Sequence, residues 1–122
     1  MGPLHIASSV KTPEIKYSPE DQSLVLSGRS IPENAVDFYR PVLDWAQGIT
    51  KDFKLTVQVQ LEYFNTSSSK CLLDLFKRLE VSEELEVLWY FDADDEDMLE
   101  AGEDYDHIVG VPFKFVEVDP EA

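Results

Sequence analysis

At 122 residues, 43% of them hydrophobic, the chain is long enough for one domain with a single core and too apolar to remain unfolded. Its 25 acidic against 10 basic side chains give a formal charge of −15, which argues against nucleic acid or anionic membrane as partners, since both are held by a basic footprint. A lone cysteine, Cys71, excludes an internal disulfide and suits a reducing cytoplasm.

Residues 1–12 read as an extended arm. No stretch of the chain has the length of a membrane span or the apolar core of a signal peptide. Met1-Gly2 is followed by Pro3, and Ile6 stands where an acylation signal wants Ser or Thr. Glu14–Tyr17 and Leu24–Ser27 read as short strands joined through Ser18-Pro19-Glu20-Asp21, whose Pro and Asp predict a hairpin turn. Ser30 and Asn34 compete to cap the next helix, Ser30 with Glu33 three residues on and Asn34 with Asp37. Phe38, Val42, Trp45 and Ile49 then form an apolar face that Tyr39 and Ala46 widen. Pro41 lies inside that pattern without an N–H, so a kink or a division into two short helices is expected.

Leu55–Glu62 alternates cleanly. Leu55, Val57, Val59 and Leu61 point one way, and Thr56, Gln58, Gln60 and Glu62 the other. Asn65-Thr66-Ser67-Ser68-Ser69-Lys70 follows, then Leu72, Leu75, Phe76 and Leu79 at helical spacing up to Glu80. Four consecutive hydroxyls therefore stand at a helix start, where backbone N–H groups lack partners. Two readings are open. One hydroxyl would serve any helix as its cap. A phosphate written there would be held by the free N–H groups and the positive end of the helix dipole. Asn65 either closes the turn through its side chain or orients a neighbouring hydroxyl in a kinase site. Lys70, one turn beyond Thr66, either pairs with a phosphate or is solvated. Cys71 reads as a small packing residue, with a lowered thiol pKa near the helix start as the other reading.

Leu85–Phe91 is a further strand, and the acid run Asp92-Ala93-Asp94-Asp95-Glu96-Asp97 precedes a helix over Met98–Tyr105. Asp92, Asp94, Glu96 and Glu103 match the first, third, fifth and twelfth places of an EF-hand loop. Asp97, however, occupies the place of its obligatory Gly, and a strand precedes the loop in place of a helix. Acids at a helix start complement its dipole; the same rim is also suited to a basic partner. Phe113–Val118 forms a last strand. Only His5 and His107 are available as bases, neither near the hydroxyls in sequence, and no Gly-rich phosphate cradle occurs. Neither catalysis nor a cofactor is expected. The order β-β-α-β-α-β-α-β predicts an α/β fold whose mixed β-sheet contains parallel crossovers, with helices mainly on one face because one side of Leu55–Glu62 is polar.

Leu61-Glu62-Tyr63-Phe64-Asn65-Thr66-Ser67-Ser68-Ser69-Lys70 resembles the signature of SiaC-type regulatory phosphoproteins, small bacterial proteins related in fold to anti-sigma-factor antagonists (STAS domains). Leu4-His5-Ile6, Thr12-Pro13-Glu14-Ile15, Pro32-Glu33-Asn34, Phe38-Tyr39-Arg40-Pro41-Val42-Leu43-Asp44-Trp45 and Val111-Pro112-Phe113 extend the likeness over nearly the whole chain. The resemblance implies a single STAS-like domain over residues 1–122, with Thr66 as phosphoacceptor. Ordinary STAS domains read Asp-Ser-Ser-Gly in this loop and carry the phosphate on a Ser. Here Asn65 replaces the Asp and no Gly follows, so Ser67 stays the alternative. The resemblance further implies a non-enzymatic, cytoplasmic partner-switching protein. It would be phosphorylated by an anti-sigma-type protein kinase and dephosphorylated by a PP2C-like phosphatase. Its target would be a diguanylate cyclase, activated by the unphosphorylated form. The docking surface would centre on Asn65, Thr66, Ser67, Ser68 and Lys70 and run along the adjoining helix. The alternatives are a strict anti-sigma-factor antagonist and, from another class, a small hydrolase or metal-binding protein built on the hydroxyl loop or the acid run.

Overall fold

The period-two stretches fold as strands and the stretches of helical spacing as helices. A computed structural model describes residues 1–119 as β1 (Leu4–Ile6), β2 (Glu14–Ser18), β3 (Ser23–Ser30), α1 (Ala35–Ala46), β4 (Leu55–Phe64), α2 (Thr66–Leu79), β5 (Leu85–Asp92), α3 (Glu96–Ile108) and β6 (Phe113–Val118). The six strands lie in one sheet in chain order. β1, β2 and β3 pair antiparallel, and β3, β4, β5 and β6 pair parallel. Each parallel crossover carries one helix. Right-handed crossovers that always step to the same side place their helices on the same face, which is why α1, α2 and α3 form a single layer.

The register lines up the apolar half of every strand beneath that layer. Ile15 is opposite Leu26, Leu26 opposite Val59, Val59 opposite Trp89 and Trp89 opposite Phe115. The other face carries Val25, Gln58, Leu88 and Lys114 in one row, half-buried or exposed. Trp89, Tyr39 and Phe76 are the largest fully buried side chains. Trp89 lies across α3, where its indole Nε1 donates to the Met98 carbonyl at 2.9 Å. Gly102 sits beneath the ring, and a Cβ built there would come within 2.5 Å of it.

The structure departs from the sequence reading in two places, at the arm and at the start of α3, and narrows two alternatives the sequence left open, at the α1 cap and at Pro41. The arm contains β1, which pairs Leu4 with Tyr17 and Ile6 with Ile15, so one more strand opens the element order. Ser30 does not cap α1, because it is the last residue of β3 and its side chain is fully buried. Asn34 caps instead, accepting from the Asp37 N–H at 3.1 Å while its amide donates to the Asp37 carboxylate at 2.9 Å. α3 begins at Glu96, since Asp95 is its cap and the acids behind it already form its first turn.

Of the two expectations at Pro41, the division is excluded: α1 runs through it without interruption. It is exposed, and the Asp37 carbonyl it leaves without an N–H also belongs to an exposed residue, open to solvent. Pro41→Ala should therefore stabilise the chain. An interior Pro is worth about 3 kcal/mol less than Ala in a helix, and its restriction of the unfolded chain returns up to about 1 kcal/mol. A net gain of about 2 kcal/mol should appear as a higher urea midpoint with an unchanged slope.

Candidate phosphoacceptor site at the start of the second helix

A bulge sets the site. Gly28 pairs with Leu61, but the next residue, Arg29, pairs with Tyr63, so Glu62 is an extra residue in β4. Gly28 has φ 110°, a left-handed backbone that a side chain would strain, and it absorbs the shift. The extra residue reverses the alternation. Leu61 and Phe64 both turn towards the helices, and Phe64 stacks edge-on to Trp89 at 6.1 Å. Tyr63 turns out and is 49% exposed, with the Arg29 guanidinium 5.8 Å from its ring centre.

Asn65 then closes the turn. Its N–H donates to the Ser30 carbonyl at 3.0 Å, and its side-chain oxygen accepts from the Ser68 N–H at 2.9 Å and from the Ser67 hydroxyl at 3.2 Å. The capping reading of Asn65 is thereby realised, and no hydroxyl is needed as the cap.

The four hydroxyls divide into distinct employments. Ser68 points inward, fully buried, and donates to the Ser30 carbonyl at 3.1 Å. Its Oγ is also 2.8 Å from the Ser30 Oγ, which is 2.6 Å from the Tyr39 hydroxyl. This buried chain ties the end of β3, α1 and α2 together. Burial pushes the Tyr39 phenol up to about 12, so it remains a proton donor. Ser69 donates to the Thr66 carbonyl at 2.7 Å and accepts, through its own carbonyl, the Tyr105 hydroxyl at 2.8 Å. Burial likewise raises the Tyr105 phenol well above its ordinary range. Ser67 is exposed but engaged with Asn65. Thr66 is the first residue of α2, exposed, and its hydroxyl makes no hydrogen bond among the described residues.

The electrostatics single out the same turn. α1 has Asp37 in its first turn and α3 has Glu96 and Asp97, whereas α2 has no acid there despite the chain's charge of −15. The positive end of the α2 dipole is therefore uncompensated by a side chain. Lys70 is exposed one turn beyond Thr66 and forms no ion pair among the described residues. Burial, then the Asp74 carboxylate, raises the Cys71 thiol above its usual range, so its place near the helix start does not activate it.

Of the sequence-predicted residues, Asn65, Thr66, Ser67 and Lys70 come together at or near the surface, and Ser68 lies beneath them. The histidines are spent elsewhere. The His5 Nε2 is 3.0 Å from the Glu14 carboxylate, and the His107 Nδ1 is 2.7 Å from the Glu103 carbonyl. The acid run ends β5, caps α3 through Asp95 and fills its first turn. Ser30, Tyr39 and Tyr105 brace the turn from below, a role the sequence did not assign to them: it offered Ser30 only as a cap for α1 and Tyr39 only as part of an apolar face. The available signal was a pair of phenols on otherwise apolar helix faces, since a buried Tyr hydroxyl requires a partner.

Comparison with known proteins bears on the fold and the family. Residues 6–118 match the family model described as SiaC family regulatory phosphoprotein. An uncharacterized protein of Pseudomonas aeruginosa is 29% identical over 93% of this chain and 94% of its own length. The crystal structure of apo-SiaC from P. aeruginosa superposes with a TM-score of 0.81 at 26% identity, covering 95% of this chain and 99% of that one. A chain in the crystal structure of the diguanylate cyclase SiaD with its activator SiaC, from the same organism, gives 0.83 at 27% identity, covering 94% and 99%. With a family match over residues 6–118 and a shared fold over 95% of its length, the chain belongs to the SiaC family of regulatory phosphoproteins.

Proposed function

We propose that the chain is a non-catalytic partner-switching protein of the cytoplasm, in which reversible phosphorylation of Thr66 governs docking on a diguanylate cyclase. The unphosphorylated form docks and activates. A protein kinase of the anti-sigma type writes the phosphate and a PP2C-like phosphatase removes it. The observation that carries this reading is the division of labour in the turn. Thr66 offers an exposed, uncommitted hydroxyl at the head of a helix whose first turn lacks an acid, while Ser67, Ser68 and Ser69 are engaged. A phosphate there adds nearly two negative charges at pH 7 and three acceptor oxygens, stabilised by the helix start and opposed to any target surface that met the neutral hydroxyl. The activator role of the related SiaC in complex with SiaD favours a cyclase over an anti-sigma factor as target.

Phosphosite mapping by mass spectrometry tests the reading, on protein purified from its own host with and without a PP2C-type phosphatase. Stoichiometric, phosphatase-sensitive phosphate on Thr66 is expected. Phosphate on Ser67 alone would move the switch by one residue. Absence of phosphate from Thr66 to Ser69 under several growth conditions would overturn the switch.

A further inference from the structure

α2 presents a stripe to solvent that begins at the proposed acceptor. Thr66, Lys70, Leu73 and Lys77 recur at spacings of four, three and four, so they run along one side of the helix from its first turn to its last. Beside this stripe, between α2 and α3, lies a groove of about 240 Å³. Phe64, Leu73, Ala101 and Ile108 make its apolar lining, with Lys70 on the α2 side and Asp104 on the α3 side. Ile108 is 59% exposed, a large apolar side chain left in water by folding. Neither Lys70 nor Asp104 forms an ion pair among the described residues. Beneath the groove, the bond from the Tyr105 hydroxyl to the Ser69 carbonyl fixes the two helices to each other, so the depression is preformed.

We propose that this groove seats an apolar side chain of the target cyclase, flanked by a target carboxylate on Lys70 and a target cation on Asp104. The inference rests on the partner-switching reading above and names its docking surface. Charge complementarity selects the occupant. An apolar lining between two unpaired charges of opposite sign fits an apolar anchor with an acid on one side and a base on the other, and penalises the reversed arrangement. Lys70 is the cation in this lining, and Asp104 is the acid across from it.

The same lysine connects docking to phosphorylation. Thr66 and Lys70 are an i, i+4 pair, close enough on the helix surface for a phosphate on Thr66 to take the Lys70 ammonium as its counter-ion. The target's carboxylate then loses its partner and faces the phosphate in its place. Docking and phosphorylation compete for one ammonium group.

The test measures binding of the unphosphorylated chain to the diguanylate cyclase of its own host, for wild type, Ile108→Glu, Lys70→Glu and the control Val36→Glu. Val36 is 61% exposed on α1, away from the groove lining. Circular dichroism establishes that each variant is folded. Ile108→Glu and Lys70→Glu should each weaken binding by about tenfold or more, with Val36→Glu within about twofold of wild type. If wild type binds and both groove variants bind equally well, the groove is not the docking surface, while the cyclase reading stands. If wild type itself binds no cyclase, the reading falls and takes the groove with it. A second readout needs no cyclase. In a ³¹P titration of the Thr66-phosphorylated chain, the phosphate should lose its second proton at lower pH with Lys70 than with Lys70→Gln. Equal titrations would overturn the exchange of Lys70 between phosphate and target.

Discussion

Thr66→Asp is expected to keep the fold and to lose the target. The side chain is exposed at the first position of α2, so a carboxylate there meets the positive end of the helix dipole. Such an interaction is worth about 0.3–1 kcal/mol, and the melting temperature should stay level or rise slightly. Binding to the cyclase should fall by about tenfold to a hundredfold, the equivalent of one or two steps of 1.4 kcal/mol, because on the proposed reading the new charge stands where the docked surface would meet a neutral hydroxyl. Thr66→Ala should bind like the unmodified protein and resist switching by the kinase. Ser68→Asp provides the contrast. Two residues away it would put a carboxylate into the fully buried cluster with Ser30 and Tyr39, so the protein itself should fail. Calorimetric titration with the cyclase and a thermal melt of all three variants separate the two kinds of damage. Equal cyclase affinities for wild type and Thr66→Asp would sink the switch.

Gly102→Ala should be the most damaging loss of stability for the smallest change in size. The added Cβ would stand 2.5 Å from the indole Cδ1 of Trp89, 2.6 Å from its Nε1 and 2.8 Å from its Cγ. In an ordinary helix interior the exchange gains up to about 1 kcal/mol. Here the obstacle is a rigid, fully buried ring anchored by its bond to Met98, with Phe64, Phe76, Tyr105 and Phe113 packed around it. Overpacking of this kind costs about 1–3 kcal/mol, and the rigid ring puts this site at the upper end, read as a lower urea midpoint. Trp89→Phe should hurt by itself, through lost volume and the lost indole bond. In combination the two changes should cost less than their sum, because the smaller ring vacates the space that the methyl needs.

The alternation and helical spacing made most of this architecture legible. Phe113–Val118 is read at its observed bounds, and the apolar residues from Leu72 to Leu79 define the buried side of α2. What escaped was decided by contacts distant in sequence. The three residues of β1 are too few to show a period and are held as a strand by pairing with β2. Ser30 and Asn34 carry equivalent capping patterns, and the tie was broken by the commitment of Ser30 to the β3 end and its buried bonds. Nothing local marks Glu62 as the extra residue of the bulge, although it decides that Phe64 turns in and Tyr63 turns out. The hydroxyl loop lay in between. Ser68 is four residues before Leu72 and seven before Leu75, so the helical phase already assigns it to the inner face. Thr66 and Ser67 fall outside that face. The partners of Ser68, Ser30 and through it Tyr39, required the three-dimensional arrangement.

The chain-ordered sheet has a consequence for synthesis. Every strand pairs with the one made just before it, so a growing polypeptide can extend the sheet at one edge without waiting for a distant partner. Ser30, Tyr39, Asn65 and Ser68 all precede α3 in the chain and so leave the ribosome before it. Tyr105 and the α3 wall of the groove come later, with the last third of the chain. The turn that carries Thr66 thus leaves the ribosome before the α3 wall of the groove, and a nascent chain can present that hydroxyl before the proposed docking surface exists.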